Sequence, residues 1–390
     1  MKLRQKNNIV KSVTTAVFFL SLFYAEGCNK NFIIPDAKYN AVSVEMFGEK
    51  PERNFYVQKN ISDSLKLKWS VEINGGLNTS AVALQGETIF CSDLSGRIYA
   101  FNLKDGKELG YLSYKNLIIA APIVNQLKLI YAVVEAKDNL STIYQYDIKT
   151  GKMVNEIEIA GKVIKEMIRL DDGFIVFTEQ GNVLRFHYNS RKIWEYKNES
   201  FIHSNAAADN DKLIFGDDNG SVTTLNIKTG ELLSRVKLQA GIEGGFTIYD
   251  NRVYFGDNSG NVHSMDLSTG KITWSASIGF KTVSFPIIDG NSLFIGNVRG
   301  DLIKLNLKDG SQSWKLETKG NLNATGLVFE NLIIQPDYNK RILFIDKNDG
   351  RIVKEIYFED KLRLSPFFFN DLIFIGTETG KLFAYEVIYN

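Results

Sequence analysis

Short apolar runs alternate with turn sequences along most of this chain. Residues 283–317 read VSFPIIDGNSLFIGNVRGDLIKLNLKDGSQSWKLE and contain four such runs: SFPII, SLFIG, LIKLNL and SWKLE. The runs are separated by DGN, NVRG and KDG, which are typical of β-hairpin turns. No run is long enough for a helix and the apolar residues alternate, so the pattern predicts a four-stranded antiparallel meander.

The same unit recurs with a period close to 40 residues. A phrase of the form Asp/Asn-x-x-Thr/Asp-Gly ends at Gly106, Gly151, Gly230, Gly270, Gly310 and Gly350. A degenerate copy, HYNSR at residues 187–191, lies in the one long gap. A second series of turn residues lies ten positions upstream, at Gly96, Gly181, Gly220, Gly260, Gly300 and Gly380, with Lys340 replacing one glycine. In the second unit the longer stretch EAKDNLST, residues 135–142, takes the place of this turn.

Four-stranded units of about 40 residues are typical of β-propeller blades. Counting one central turn per unit gives eight, so the sequence predicts an all-β, eight-bladed propeller of four-stranded antiparallel blades. The chain ends after the third strand of the eighth unit. The stretch LKLKWSVEI, residues 65–73, has the pattern of a fourth strand. We expect this N-terminal strand to complete the last blade and close the ring, because closure removes exposed sheet edges.

Four tryptophans fall at one position of the fourth strand, namely Trp69, Trp194, Trp274 and Trp314. We expect each indole to pack over the glycine-containing turn of the next blade. Truncating one of them is expected to cost roughly 3–5 kcal/mol, as other large-to-small core changes do.

The N-terminus has a different pattern. Four basic residues precede the apolar run VTTAVFFLSLFY, residues 13–24, and AEGC follows at 25–28. This order is typical of a secretory signal, and the Gly-Cys end resembles a bacterial lipobox. We therefore predict a lipoprotein signal peptide over 1–27 and lipidation of Cys28, followed by a tether and N-terminal arm over 28–64 and the propeller over 65–390. Ordinary signal cleavage that leaves a free cysteine, or a short uncleaved anchor, are the alternatives.

Composition and charge narrow the function classes. The chain has 46 basic and 45 acidic residues, for a net charge of +1. This balance gives no electrostatic footprint for nucleic acid. The second cysteine, Cys91, lies in an apolar strand and is interpreted as a buried small hydrophobic residue. No disulfide framework is expected.

The sequence predicts no catalytic, metal-binding or cofactor-binding residue. The acidic stretches GDDNG (216–220) and GDNSG (256–260) precede turn glycines and lack the downstream glutamate of a calcium loop, so hairpin chemistry explains them. The three histidines, His187, His203 and His263, form no metal-spaced pair. No nucleophile, base and orienting group occur together in a recognisable motif.

The phrases MDLSTGKITW and LNLKDGSQSW resemble the PQQ-like repeat of quinoprotein dehydrogenases. Eight such blades behind a lipid anchor are similar to the BamB-type lipoprotein family. The resemblance implies a non-catalytic scaffold without a cofactor, held at the bacterial outer membrane and facing the periplasm, whose partner is a membrane-embedded barrel-assembly protein or another envelope protein. In that family a loop leading into a central blade offers Leu and Arg to the partner. The matching stretch, NESFIHSNAA (198–207), offers Phe201 and Ile202 but no Arg, so no partner-binding residue is transferred.

Two other functions remain open at this point. One is a propeller of another envelope pathway that binds or senses a ligand or polysaccharide. The other is a PQQ-dependent oxidoreductase. Enzymes of that class often stack the quinone on a disulfide between adjacent cysteines, and Cys28 and Cys91 are too far apart for such a platform. Asn29, which follows Cys28, is not the aspartate that retains some lipoproteins at the inner membrane, and this favours the outer membrane.

Overall fold

The computed structural model describes residues 30–39 and 43–389, and within these ranges every regular element is a β-strand. Three strands precede the first blade: β1 (Ser43–Val44), β2 (Tyr56–Val57) and β3 (Leu65–Glu72). The part of the chain that is described contains no helix with the length and apolar character needed to cross a bilayer.

The next sixteen strands form blades 1 to 4. Blade 1 consists of β4 (Val82–Gln85), β5 (Thr88–Ser92), β6 (Arg97–Asn102) and β7 (Glu108–Ser113). Blade 2 consists of β8 (Ile123–Asn125), β9 (Lys128–Glu135), β10 (Leu140–Asp147) and β11 (Lys152–Ala160). Blade 3 consists of β12 (Ile168–Arg169), β13 (Gly173–Phe177), β14 (Asn182–His187) and β15 (Lys192–Lys197). Blade 4 consists of β16 (Ala207–Ala208), β17 (Lys212–Gly216), β18 (Ser221–Asn226) and β19 (Leu232–Lys237).

The remaining strands form blades 5 to 8. Blade 5 consists of β20 (Phe246–Tyr249), β21 (Arg252–Gly256), β22 (Asn261–Asp266) and β23 (Ile272–Ser277). Blade 6 consists of β24 (Ile287–Asp289), β25 (Ser292–Gly296), β26 (Asp301–Asn306) and β27 (Gln312–Glu317). Blade 7 consists of β28 (Leu327–Phe329), β29 (Leu332–Asp337), β30 (Arg341–Asp346) and β31 (Ile352–Tyr357). Blade 8 contains β32 (Phe367–Phe369), β33 (Leu372–Gly376) and β34 (Lys381–Val387) from the end of the chain.

The eighth blade is completed from the other end of the sequence, as predicted. Strand β3 pairs antiparallel with β34, with Leu65 opposite Val387 and Glu72 opposite Lys381. The prediction of an eight-bladed ring closed by the N-terminal strand is therefore confirmed. Blades 1 and 7 each carry a fifth, two-residue strand on their inner edge: β1 pairs with β4, and β2 pairs in parallel with β28.

The turn residues set the repeat because they adopt backbone angles that most side chains avoid. The six glycines of the Asp/Asn-x-x-Thr/Asp-Gly phrase have φ between +68° and +76°. Among the turn residues that replace glycine, Ser190 at the degenerate copy, with φ of +70°, and Lys340 in the upstream series, with φ of +64°, take the same left-handed conformation. A left-handed residue in the turn is thus kept even where glycine is lost.

Candidate functional site

The ring has two faces that are defined by the order of turns in each meander. Turns between the second and third strands lie on one face, together with the connections from one blade to the next. Turns between the first and second, and between the third and fourth strands, lie on the other. We call the face with the blade-to-blade connections the funnel face, and the opposite face the entry face. The first strands of neighbouring blades contact one another, so these strands surround the central channel.

The channel is occupied by residues 43–61, which we call the arm. Its backbone carbonyls accept hydrogen bonds from the innermost strands of one blade after another. Val124 of blade 2 donates to Glu45 O (2.8 Å), Ala208 of blade 4 to Pro51 O (2.9 Å), and Ile248 of blade 5 to Glu52 O (2.9 Å). The arm therefore winds around the inside of the ring in the same order as the blades.

The arm continues to blade 6, which it contacts through the Asn54 side chain, and to blade 7, with which its strand β2 pairs. The Asn54 side chain donates to Ile288 O (3.0 Å) and accepts from Ile288 N (2.9 Å). Next, Val328 N donates to Phe55 O (3.1 Å) and β2 pairs with β28. These contacts satisfy edge groups of the first strands, which would otherwise face an open hole.

Two charged groups of opposite sign are buried inside the ring, at the connection from blade 2 to blade 3. The Arg53 side chain has no exposed surface and donates to the carbonyls of Phe47 and, at 3.1 Å, Met167. Glu166 accepts from the Ser80 hydroxyl and from Ala121 N (3.1 Å). Burial lowers the pKa of Arg53 to about 10 and raises the pKa of Glu166 to about 7, and each charge partly opposes the shift of the other.

Aromatic side chains close the centre of the channel. The rings of Phe47, Phe55 and Phe285 contact one another with centroid distances of 5.1, 5.2 and 5.8 Å. On the funnel face this cluster forms the floor of an open funnel of about 1180 Å³, whose wall includes Lys165, Glu243, Lys281, Tyr338 and Arg363. The channel is thus filled at its centre and concave at one mouth.

The funnel wall carries charges of both signs in pairs. Lys281 Nζ lies 3.1 Å from Glu243, and Arg363 lies 3.4 Å from Glu378. Burial raises the pKa of Glu243, but the hydrogen bond and charge of Lys281, together with Asn258 and Lys165, outweigh burial, so the net pKa is lowered. Burial lowers the pKa of Lys165. The funnel therefore offers partly desolvated charges, which favour a polar partner surface over a purely apolar one.

Exposed aromatic side chains lie on the same face as the funnel. Phe201, Phe280 and Tyr338 are 52%, 40% and 37% exposed. Two of them are covered by cations: the Arg299 guanidinium lies 4.8 Å from the Phe280 ring, and Lys361 Nζ lies 4.2 Å from the Tyr338 ring. Exposed aromatic and arginine side chains are the residue types that carry most binding energy at protein interfaces.

The stretch 198–207 contributes less to this surface than its sequence suggests. Phe201 is exposed, whereas Ile202 has no exposed surface and packs in the core between blades 3 and 4. The next residue, His203, is hydrogen-bonded to Asp218 (2.9 Å) and Glu179 (3.1 Å). Burial would lower the pKa of His203, but these two carboxylates prevail and raise it.

The predicted structural residues form a repeated contact between blades. An added Cβ at the turn glycine would lie 2.6–2.8 Å from the indole of the preceding blade in four places: Trp69 with Gly106, Trp194 with Gly230, Trp274 with Gly310, and Trp314 with Gly350. In each pair the indole Nε1 donates to the carbonyl three residues before the glycine, at 2.9–3.2 Å. Gly270 instead faces Ser234, and Gly151 faces Ile33.

The other predicted residues have structural surroundings. Cys28 lies outside the described residues. Cys91 is fully buried and free, and burial raises the pKa of its thiol. His263 is hydrogen-bonded to Ser275 (2.7 Å) and to Asp257 (3.0 Å). Asp217, like Asp257, accepts the backbone N–H four residues later, which stabilises its hairpin turn. No group of three or more metal-ligating side chains occurs among the residues that the structure describes.

The residues present do not fit a quinone site of the kind considered from the sequence. A planar cofactor at the centre of the channel would have to displace Arg53, Phe47 and Phe55, which are buried there. Cys91 lies inside the sheet core of blade 1 and has no adjacent cysteine in the sequence. We therefore derive no chemical step through such a group.

The sequence predicted an N-terminal arm within residues 28–64 but not its path through the channel. Its strands are only two residues long and most of its bonds use backbone carbonyls, which leave no pattern in the sequence. A signal was present only for residues 30–34: the Trp position of blade 1 holds Gly110, and these residues fill the space that it leaves.

These features define the class of protein, an eight-bladed propeller of PQQ-like repeats whose channel holds its own N-terminal arm. The family model described as outer membrane protein assembly factor BamB matches residues 63–315 and, in an overlapping match, residues 218–356. Because the two matches together cover more than half of the sequence, the chain belongs to this family.

Solved structures show the same fold at low sequence identity. The crystal structure of BamB from Moraxella catarrhalis superposes with a TM-score of 0.71 and 15% identity, covering 83% of this chain and 100% of that one. A europium-containing methanol dehydrogenase gives 0.75 and 10%, covering 88% and 98%. A quinohemoprotein alcohol dehydrogenase from Pseudomonas putida HK5 gives 0.74 and 11%, covering 88% and 80%. No curated protein sequence gave a significant match to this chain.

Proposed function

We propose that this protein is a non-catalytic, lipid-anchored scaffold of outer-membrane β-barrel assembly, which docks partner proteins on its funnel face. The family to which the chain belongs carries the name of an outer membrane protein assembly factor, and this supports the class of partner. The anchor is the lipidated Cys28, and the ring faces the periplasm.

The observation that carries the docking proposal is the set of exposed aromatic side chains on the funnel face. Phe201, Phe280 and Tyr338 lie on connections or turns of this face, and Tyr338 also lines the funnel. A flat polar rim around aromatic anchors is the usual anatomy of a protein interface. Removing one such anchor is expected to weaken binding by about 2 kcal/mol or more, which is roughly 30-fold.

Site-specific photo-crosslinking tests this surface directly. A photoreactive phenylalanine analogue at position 280 is expected to capture a membrane-embedded barrel-assembly protein in intact cells. The same analogue at position 249 is the matched control, because Tyr249 is 36% exposed against 40% for Phe280 but lies on the entry face. Capture at 249 without capture at 280 would contradict the assignment of the face.

Co-purification tests the partner class without the crosslinker. The variant Phe201→Ser combined with Phe280→Ser is expected to lose the barrel-assembly protein from pull-downs, whereas Tyr249→Ser keeps it. Retention of the partner by the double variant, with the fold intact by circular dichroism, would show that these aromatics are not its anchors.

The funnel itself favours a second candidate, a propeller that binds a polar ligand or polysaccharide. Its wall combines charged and polar side chains around an open volume of about 1180 Å³. Binding of a glycan in a calorimeter that is lost in Lys281→Ala, together with absence of a barrel-assembly partner in pull-downs, would favour this candidate over the scaffold.

A further inference from the structure

Four of the eight blades lack a tryptophan at the position that joins one blade to the next, and in blade 1 another part of the chain takes its place. The fourth strand of blade 1, β7, holds Gly110 at the position of Trp274 in blade 5. An added Cβ at Gly110 would lie 2.3 Å from Lys30 O, so the glycine leaves room for the N-terminal end of the described chain. Residues 30–34 fill the gap between blades 1 and 2.

These residues reproduce the missing contact. Elsewhere the indole donates to the carbonyl three residues before the turn glycine. In blade 2 that carbonyl is Ile148 O, and it accepts from Ile34 N at 2.8 Å. Phe32 takes the buried apolar role: it has no exposed surface and its ring lies 5.1 Å from that of Tyr146.

Two further hydrogen bonds fix this stretch at its start. Tyr111 N donates to Lys30 O at 2.8 Å, and the Tyr146 hydroxyl donates to Phe32 O at 2.6 Å. The chain is therefore bound to the outer strand of blade 1 from Lys30 onward. Cys28 precedes Lys30 by two residues, so its reach from this point is at most about 7 Å.

The surface around this point carries exposed apolar and charged side chains. Ile33, Met153 and Val154 are 54%, 37% and 42% exposed, and they meet at the third turn of blade 2, where Ile33 covers Gly151. Exposed lysines lie around them on the same rim, at positions 30, 104, 107, 149 and 152. Acidic residues lie among them as well, namely Asp36, Asp105, Glu108, Asp147, Glu156 and Glu158, of which Glu108 lies 3.9 Å from Lys30.

We propose that the rim between blades 1 and 2 lies against the bilayer, so that the ring is held in one orientation instead of hanging on a flexible tether. This inference rests on the proposed lipidation of Cys28. Acyl chains on a residue within about 7 Å of Lys30 bring the rim to headgroup depth. There Ile33, Met153 and Val154 contact the interface, and the lysines attract anionic headgroups. The rim lies toward the entry face, so the funnel opens away from the membrane.

A pair of matched cysteine variants tests the orientation. Val154 and Ser313 are the extra, bulged residues of the fourth strands of blades 2 and 6, which lie on opposite sides of the ring. Both are exposed, and the native Cys91 is buried and unreactive. Full-length lipidated protein carrying Val154→Cys or Ser313→Cys is labelled with an environment-sensitive fluorophore and reconstituted into phosphatidylethanolamine–phosphatidylglycerol vesicles.

The label at 154 is expected to shift its emission to shorter wavelength and to be quenched by nitroxide-labelled lipid, while the label at 313 does neither. Equal responses at both positions, in protein that floats with the vesicles, would overturn the orientation and leave the anchor standing. Protein whose Cys28 is unmodified by mass spectrometry, and which does not float, would overturn the anchor and the orientation together.

A linker variant tests the cause. A Gly/Ser insertion of about twenty residues after Asn29 has a root-mean-square reach of about 25 Å, which frees the ring without removing the anchor. We expect flotation to be retained and the response at 154 to fall toward that at 313. An undiminished response at 154 would overturn the proposal that the short connection holds the rim.

Discussion

The buried carboxylate of Glu166 makes the stability of the arm depend on pH. Its side chain lies between the Ser80 hydroxyl and Ala121 N, within the field of Arg53. Burial raises its pKa from an ordinary value of 4.5 to about 7, against the opposing effects of Ser80, Arg53 and Lys165. The folded protein therefore binds more protons than the unfolded chain between these two values.

The sign and size of the effect follow from linkage. A raised carboxyl pKa contributes stability that is fully present below pH 4.5 and is lost as the pH rises to about 7. One pKa unit corresponds to about 1.4 kcal/mol, so the whole interval is worth about 3 kcal/mol. Glu166→Gln keeps a hydrogen-bonding amide in the same place but cannot ionise.

Denaturant unfolding of wild type and Glu166→Gln across pH 4.5 to 8 measures this contribution, with Cys28→Ser in both to remove the anchor. The free energy of unfolding of wild type, relative to the variant, is expected to fall by about 3 kcal/mol over that range. Any constant offset between the proteins does not affect the result. A difference that is flat with pH would refute a raised pKa for Glu166, and a difference that grows in favour of wild type at high pH would mean that the pair with Arg53 dominates.

Three further predictions concern the ring. Trp194→Ala is expected to lower the free energy of unfolding by about 3–5 kcal/mol, because the indole fills the contact between two blades. Gly230→Ala is expected to destabilise by roughly 1–3 kcal/mol, since the new methyl group would lie 2.7 Å from that indole at a φ of +75°. Gly290→Ala, also at positive φ but with nothing within 4 Å, is the control and costs less in the same denaturation assay. His203 is expected to titrate above 6.5 by NMR and at a lower pH in Asp218→Asn.

Turn chemistry allowed most of the ring to be predicted from sequence. Each unit is built from local hairpins, so its strands follow from alternation and from the residues between them. The ring closure was also predictable, because β3 repeats the pattern of a fourth strand that blade 8 lacks. The turn positions accept residues other than glycine: Lys340 and Ser190 adopt the left-handed conformation, with φ of +64° and +70°.

The arm could not be predicted in the same way. Residues 43–61 bond to strands of blades that are distant in sequence, and no local period forces that path. The funnel face was equally hidden, because its aromatics come from three separate blades and the sequence does not distinguish exposed Phe201 from buried Ile202 next to it. Long-range packing decides both features, and neither leaves a repeating pattern.

Residues 30–34 and the arm together limit how a partner can approach the ring. Residues 30–34 bind the outer rim of blades 1 and 2, and residues 43–61 fill the channel from the entry face. A partner that approached from the entry face would therefore meet the arm and, if Cys28 is acylated, the membrane side of the ring. The funnel face carries neither obstruction. Because protein interiors are close-packed, pulling the arm out would leave a hole bordered by Phe285 and Glu166, so the arm is expected to stay bound while a partner docks opposite it.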